Sequence, residues 1–319
     1  MNAPLPASLS ADLHLPVARY RFDCVATSTV RLPDYAGSTL RGAFGNALRR
    51  TACMTRQKDC KGCPLYRSCP YPELFETPAP PEHDLQRFSQ IPNPYVIEPP
   101  PIGAQRLEAG KRISFHMVLI GRARAQLPLV IHAWQRALRH GIGAGDGALE
   151  LAAVSHVGQQ GATLLWQPHA TALISHGDEA HAVPAIGQQA TLSFTTPLRL
   201  QDNGKPLGPD QLTARTLLVA LARRLSLLAE FHAGQQALNV PMLAQLAESI
   251  QLRQQLHWHD WARYSSRQQQ LMKLGGLVGN LSLSLSGNLQ PFASLLHHGK
   301  WAHLGKNATF GLGQYSLAT

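Results

Sequence analysis

The chain has 319 residues, of which 44% are apolar and 15% charged, so it is long enough for two domains and is neither a disordered chain nor an acidic tail. Its 29 Lys and Arg residues against 19 Asp and Glu residues leave a formal charge of +10. This excess favours a polyanionic partner, with nucleic acid as the first candidate and a membrane surface as the second. The N-terminal segment has neither a basic start nor an unbroken apolar run, so we expect a cytoplasmic protein with reduced cysteines.

The N-terminal half alternates between strand and helix patterns. Apolar and polar residues alternate from Val17 to Ala26, which predicts a half-buried strand. Ser38 precedes apolar residues at 40, 44 and 48, which predicts a helix capped by Ser38 with a basic polar face. The prolines of residues 77–101 predict an irregular surface segment. Further predictions are a strand at 111–120, a helix that starts near Pro128 and stops at Gly141, and short strands at 149–154 and 163–166.

The C-terminal half repeats this order. It is predicted to contain a strand at 190–198, a long helix at 213–231, a weaker helical pattern at 242–255, a strand at 278–286 and a last strand after a glycine turn in 310–317. Two halves of similar order indicate a duplicated α+β unit of the split β-α-β type. A polar, turn-rich boundary lies within 170–188. We therefore place an N-terminal domain at 1–180, with an insertion at about 51–105, and a C-terminal domain at 181–319.

Four cysteines lie within seventeen residues, at Cys53, Cys60, Cys63 and Cys69. In a reducing compartment such a cluster predicts a metal site, and Zn(II) with four thiolates would organise a loop that has few apolar residues. An iron-sulfur cluster is the alternative, because proline follows Cys63 and Cys69 as in ferredoxin-type ligand runs. A third interpretation is four unligated thiols. Four protein ligands leave no position for substrate, so either metal would be structural.

Positive charge is concentrated in the same region. Seven basic residues and one acid lie between positions 41 and 69, and the basic residues are Arg41, Arg49, Arg50, Arg56, Lys58, Lys61 and Arg67. Solvated helix faces normally mix charges of both signs, so a run of one sign favours phosphate contacts.

Two glycine-rich segments are candidate backbone contacts to phosphate. GIGAGDG at 141–147 follows a predicted helix rather than a strand, which disfavours a dinucleotide loop and leaves a helix-closing turn and an RNA contact as equal alternatives. Residues 295–317 contain no acid but hold Lys300, His303 and Lys306 among glycines. This pattern favours phosphate binding with His303 as the proton-transfer group, and an incidental core or surface histidine is the alternative.

A third candidate segment is HWHDWARYSSRQQQ, residues 257–270, where aromatic side chains alternate with Arg263 and Arg267. Base stacking and phosphate pairing by such a segment suit single-stranded RNA. Packing of Trp258 and Trp261 into a core is the competing interpretation.

Together these motifs resemble the CRISPR precursor-RNA processing endoribonucleases of the repeat-associated RAMP superfamily. The resemblance spans nearly the whole chain and rests on STLRGAFGNALRR (38–50), CPYPELFETP (69–78), GIGAGDG (141–147), RYSSRQQQLMKLGGLVGNL (263–281) and HLGKNATFGLGQYSL (303–317). The last block is similar to the family's C-terminal glycine-rich loop, carried here by Gly311 and Gly313. The resemblance implies an α+β fold of tandem ferredoxin-like, RRM-like domains. It also implies binding to the CRISPR repeat of precursor CRISPR RNA, with other CRISPR effector subunits as further partners.

The resemblance further implies one cut without a catalytic metal, by transesterification from the ribose 2'-OH to a 2',3'-cyclic phosphate and a 5'-OH. Family members commonly carry a catalytic histidine in or near the first helix, whereas this chain has Asn46 and no histidine between Tyr35 and Arg50. We therefore expect His303, or else another late histidine, to act as acid or base, with Arg41, Lys306 and Tyr35 for positioning and charge stabilisation. A slow reaction that relies on these three residues alone is the other catalytic alternative. The expected RNA-binding residues are Arg49, Arg50, Arg263, Arg267, Lys300, Gly311 and Gly313. The alternative is a non-catalytic RNA-binding subunit of a CRISPR effector complex.

Overall fold

The computed structural model describes residues 13–79, 91–177, 182–265 and 270–319, with backbone only for 261–265 and 270–274. It divides into two compact units. The N-terminal unit is Pro16–Ala180 with Phe231–Ala233, and the C-terminal unit is Met1–Leu15, His181–Glu230 and Gly234–Thr319. None of the helices in the described ranges has the length and apolar character needed to cross a membrane.

The N-terminal unit is a five-stranded antiparallel sheet with two main helices. Its elements are β1 (Val17–Ala26), β2 (Val30–Leu32), α1 (Gly37–Ala52), α2 (Pro70–Phe75), β3 (Tyr95–Glu98), β4 (Gln105–Leu107), β5 (Arg112–Ile120), α3 (Leu127–His140), β6 (Leu149–Gly158) and β7 (Gly161–Trp166). The sheet has the order β3-β5-β1-β6-β7, and β2 pairs with β4 in a separate ribbon. Strands β1, β3, β5 and β6 with helices α1 and α3 follow the β-α-β-β-α-β connectivity.

An aromatic cluster forms the core of this unit. The alternation in β1 buries Tyr20, Phe22 and Cys24 on one face of the sheet. The ring of Phe22 stacks on Phe115 of β5 with centroids 5.2 Å apart. Trp134 of α3 is fully buried, with its ring centroid 4.5 Å from that of Phe115. The sheet and the helices are therefore held together by rings that come from alternate strand positions and from one helix face.

The C-terminal unit repeats the connectivity. Its elements are β8 (Gln189–Leu198), β9 (Gln201–Asp202), β10 (Lys205–Pro206), α4 (Ala214–Ala233), α5 (Val240–Leu246), β11 (Gln251–Ser265), β12 (Gln270–Ser284), α6 (Ala293–Ala302) and β13 (Tyr315–Ala318). The antiparallel main sheet has the order β11-β12-β8-β13, with α4 after β8 and α6 after β12. The hydroxyl of Tyr315 donates a hydrogen bond of 2.7 Å to the Leu296 carbonyl, which ties β13 to α6.

The α+β class is confirmed, and several predicted elements are placed within a few residues of their observed bounds. Three details differ. Helix α1 begins at Gly37 with Ala36 as its N-cap residue, so Ser38 lies inside the helix and is not its cap. Residues 77–101 are not entirely irregular, because Tyr95–Glu98 form a buried strand that pairs with β5. The helical pattern of 242–255 ends at Leu246, and residues from Gln251 onward are strand β11.

Candidate nucleic-acid interface

One face of the C-terminal sheet carries uncharged hydrogen-bonding side chains. They line an open groove of about 590 Å³, and none of its described lining residues is acidic. The groove is lined by Gln189, Thr191, Ser193, Arg253, Gln254, Gln255, Asn280, Leu281, Ser282 and Ser284. We call the open side of this sheet the polar sheet face.

The strand register builds this face. Gln255 of β11 is opposite Asn280 of β12, which is opposite Ser193 of β8. The next row contains Arg253, Ser282 and Thr191, whose hydroxyl lies 3.0 Å from that of Ser282. Amides and hydroxyls both donate and accept hydrogen bonds, so such rows can pair with the edges of unstacked bases. This surface was not predicted, although polar residues at every second position of β8 and β12 indicate it.

The glycine-rich loop of residues 303–314 packs against the end of β8. Gly311 and Gly313 are buried and have φ values of 96° and 71°. A Cβ atom on Gly313 would lie 1.8 Å from the Leu304 carbonyl oxygen. The amide of Gly313 donates to the Pro197 carbonyl over 3.0 Å, and the Thr196 hydroxyl donates to the Gly311 carbonyl over 2.7 Å. These contacts give both glycines a supporting role in the loop's conformation.

His303 lies where α6 ends. Its side chain is fully buried, and its backbone has φ 56° and ψ 164°, a region that is strained for any residue other than glycine. The Arg224 guanidinium donates to the carbonyls of Ala302 and His303, which satisfies the C-terminal end of the helix. Lys306 is exposed three residues further on, and burial lowers the pKa of half-buried Lys300.

In the N-terminal unit, Arg41 lies over the ring of Phe75, with its guanidinium carbon 4.3 Å from the ring centroid. The Arg41 Nε and the Tyr95 hydroxyl are both buried, and Arg41 and Asn93 lie beside that hydroxyl. Burial raises the pKa of Tyr95 to about 12, and nearby Arg41 opposes that rise.

Tyr35 is also buried in the N-terminal unit, 5% exposed. Burial and then the charge of Glu98 hold its pKa far above the ordinary tyrosine value. Its hydroxyl is therefore neutral, so it can donate a hydrogen bond but cannot serve as a phenolate base. Tyr35 and Arg41 belong to the N-terminal unit, and His303 and Lys306 to the C-terminal unit.

The four arginines predicted to bind RNA differ in their surroundings. Arg49 donates through one guanidinium nitrogen to the carbonyls of Gln57 and Lys58, at 2.7 and 2.5 Å. Arg50 is exposed, with a guanidinium nitrogen 3.4 Å from the His140 ring. Arg263 is in β11, but its side chain and the whole of Arg267 lie outside the described residues.

The four clustered cysteines line one cavity. Their thiols are free. Among the residues that the structure describes, no group of three or more Cys, His, Asp or Glu side chains is placed to hold a metal ion.

GIGAGDG forms a tight turn after α3. Gly141 ends that helix, and Ile142 and Gly147 form an antiparallel bridge across the turn. Gly143 has φ 78°, and a Cβ atom there would lie 2.2 Å from the Arg31 carbonyl oxygen. The geometry supports the helix-closing interpretation, because Gly141, Gly143 and Gly145 have positive φ values and Gly143 and Gly147 pack closely against β2.

Two histidines that were not predicted as site residues, His156 and His176, lie together in the N-terminal unit. The ring of His156 stacks on that of His176, with centroids 4.1 Å apart. The His176 Nε2 atom is 2.9 Å from the hydroxyl of Tyr20. This group has no signal in the sequence, because residues from β1, β6 and the segment after β7 meet only in the folded unit.

Two family models match the sequence. Residues 15–179 match a model described as an N-terminal domain, and residues 192–315 match the model of the CRISPR-associated endoribonuclease Cas6. No curated protein has significant sequence similarity to the chain.

Solved structures match over almost the whole length. The Cas6 (TTHB231) product complex is 16% identical, covering 95% of this chain and 99% of its own, with a TM-score of 0.60. For Thermus thermophilus Cas6 (TTHB231) the identity is 16%, the coverage 96% and 99%, and the TM-score 0.52. The Cas6 (TTHA0078) product complex is 16% identical, covering 96% of this chain and 100% of its own, with a TM-score of 0.54. At these identities the similarity shows a shared fold.

The glycine turn allows a matched pair of substitutions. Gly143 and Gly145 have φ values of 78° and 85°, so alanine at either costs about 1–2 kcal/mol in backbone conformation. Only Gly143→Ala also places a Cβ atom against the Arg31 carbonyl, since no atom lies within 4 Å of one at Gly145. Gly143→Ala is therefore expected to lower the free energy of unfolding by about 3 kcal/mol or more, and Gly145→Ala by about 1–2 kcal/mol. Chemical denaturation measures both, and equal losses would contradict the packing role.

Proposed function

The chain belongs to the CRISPR precursor-RNA processing endoribonuclease family, as its motifs indicated, and we propose that it binds a CRISPR repeat and cuts it once by metal-independent transesterification. The observation that carries RNA binding is the polar sheet face, where neutral hydrogen-bonding groups and Arg253 line a groove whose described residues include no acid. The β-α-β-β-α-β connectivity of both units supports an assignment as tandem ferredoxin-like domains. The expected partners are precursor CRISPR RNA and other CRISPR effector subunits.

In the proposed reaction the ribose 2'-oxygen loses its proton to a general base and attacks the adjacent phosphorus. The bond to the 5'-oxygen breaks, and a general acid protonates this leaving group, so the products are a 2',3'-cyclic phosphate and a 5'-OH. Negative charge develops on the non-bridging oxygens, where cations stabilise it.

The candidate residues divide these roles. Arg41 is a half-buried cation over the Phe75 ring and Lys306 is an exposed cation within the glycine-rich loop, so both suit phosphate stabilisation. Tyr35 contributes a neutral hydroxyl for positioning. His303 is the proposed acid or base, because its strained backbone is typical of a functional position. Its burial means that the loop must open for contact with RNA.

The remaining basic residues would bind the RNA backbone. Arg50 is exposed and Lys300 half-buried, which suits phosphate contacts outside the reaction centre, and Arg263 and Arg267 stay in this group as sequence-based proposals. Arg49 is engaged with loop carbonyls, so its contribution is to hold the shape of the basic segment. Gly311 and Gly313 would act through the conformation of their loop.

A non-catalytic RNA-binding subunit of a CRISPR effector complex is the second candidate. Two observations favour it: Asn46 of α1 is exposed in a helix without histidine, and His303 has no exposed surface. Asparagine cannot accept a proton at neutral pH. The two functions differ in chemistry while they share the RNA-binding surface, so a cleavage assay separates them.

The first test uses the repeat RNA encoded beside the gene, incubated with purified protein in EDTA. We expect a single cut that leaves a 2',3'-cyclic phosphate, and no cut when the nucleotide before the scissile phosphate is 2'-deoxy. Denaturing gels and end-group analysis by mass spectrometry measure the products. Tight binding without any cut would instead support the non-catalytic subunit.

His303 is tested by His303→Ala, which is expected to lower the single-turnover cleavage rate about a hundredfold and leave the Kd for the repeat unchanged. His303→Gly removes the same ring and relieves the strained backbone, so it separates lost chemistry from lost folding. His298→Ala is the matched control, because His298 is a buried histidine within α6, close in sequence to His303. Unchanged cleavage in both His303 variants, with thermal unfolding as the folding check, would place the proton transfer elsewhere.

The polar sheet face is tested by two exposed residues with different roles. Asn280→Ala is expected to weaken repeat binding by about 1–3 kcal/mol and leave binding to unrelated RNA unchanged, as for a base contact. Arg253→Ala is expected to weaken both RNAs and reduce the salt dependence of log Kd by about 0.7, as for one phosphate contact. The control is Arg215→Ala, since Arg215 is on α4 and its partner is Glu248. Equal effects of the three substitutions would exclude this face as the binding surface.

A further inference from the structure

Residues 53–69, between α1 and α2, form a loop that has no hydrophobic core of its own. None of residues 53–69 is buried, and the half-buried ones are Tyr66 and the four cysteines, Cys53, Cys60, Cys63 and Cys69. Seventeen ordered residues lose conformational entropy that burial of apolar surface normally offsets. An exposed loop of this kind therefore needs another source of stability, such as a bound metal ion.

The four cysteines face one small space. They line a cavity of about 20 Å³, which is the volume of one water-sized sphere. The Cys63 amide donates to the Cys60 carbonyl over 3.0 Å, which closes a turn with both thiols on it. The cavity lining therefore offers four thiols to one site.

Both ends of the loop are attached to regular structure. Cys53 directly follows α1, and Cys69 directly precedes α2. Phe75, at the end of α2, packs so closely on α1 that a Cβ atom at Gly45 would lie 2.3 Å from its ring. A metal ion bound by the four thiols would thus fix the loop relative to α1 and to its basic residues Arg49 and Arg50.

We propose that Cys53, Cys60, Cys63 and Cys69 bind one Zn(II) ion through four thiolates and that this ion holds the loop of residues 53–69 in place. Binding replaces the four thiol protons, which are released to solvent, and draws the sulfur atoms together at the cavity they line. With all four positions taken by protein ligands, the ion does not contact substrate. The proposal does not rest on the proposed RNA chemistry.

The test measures metal and loop order in the purified full-length chain. Elemental analysis by mass spectrometry is expected to find about one zinc per chain in the natural protein and none in the double variant Cys60→Ser, Cys63→Ser. Cys24→Ala is the matched control, because Cys24 is buried in β1 outside the cluster and its loss should leave the zinc in place.

Limited trypsin digestion gives the second readout. Arg56, Lys58, Lys61 and Arg67 are exposed in the loop, so a loop held by zinc is expected to resist cleavage there and to be cut rapidly in the double variant. Treatment of the natural protein with a thiol-modifying reagent should release zinc and cause the same cleavage. Iron with visible absorbance would replace the proposal with an iron-sulfur cluster. Absence of both metals, or zinc that survives the double substitution, would overturn it.

Discussion

The two-residue alternation of side chains along antiparallel strands is the constraint on which the fold and the candidate interface both depend. In the C-terminal sheet, Leu192 and Leu281 are buried on one face, while their chain neighbours Thr191 and Ser282 are on the other. Because the period is two, a shift of one residue in the pairing of β8 with β12 would move leucines to the surface and hydroxyls into the core. Burial of the leucines therefore fixes the rows of polar groups that we assign to RNA.

Close contacts between backbone segments are the second constraint, and they determine the conformation of the glycine-rich loop in the C-terminal unit. The glycine-rich loop lies against β8 because Gly313 has no side chain to clash with Leu304. The same loop holds His303 in a backbone conformation that costs about 1–3 kcal/mol and persists because its surroundings determine it. Arg224 contributes by binding the carbonyl oxygens where α6 ends. Loop shape, helix end and candidate proton-transfer group are thus parts of one packed arrangement.

Apolar periodicity predicts the helices and strands that bury one regular face. It fails where contacts with residues distant in sequence determine the secondary structure. The strand at β1, the helix at α3 and the helix at α4 follow from periodicity, because each has apolar residues at the spacing of its own structure. Helix α6 was not predicted, since His297 and His298 interrupt its apolar pattern and are nonetheless buried. Strand β3 was hidden among prolines and exists because it pairs with β5.

The candidate site shows the same division. A sequence can reveal the cysteine cluster and the glycine-rich loop, because their residues are close along the chain, but the polar sheet face combines three strands that are distant in sequence. The burial of His303 is likewise a property of packing and has no local signal. A buried histidine does not by itself decide whether the chain can cut RNA. Transesterification within RNA supplies its own nucleophile, so a protein that aligns the 2'-oxygen and stabilises the phosphorane already accelerates it without a histidine on α1. For the proposed reaction, the surfaces assigned to RNA binding therefore matter more than the identity of any one general base.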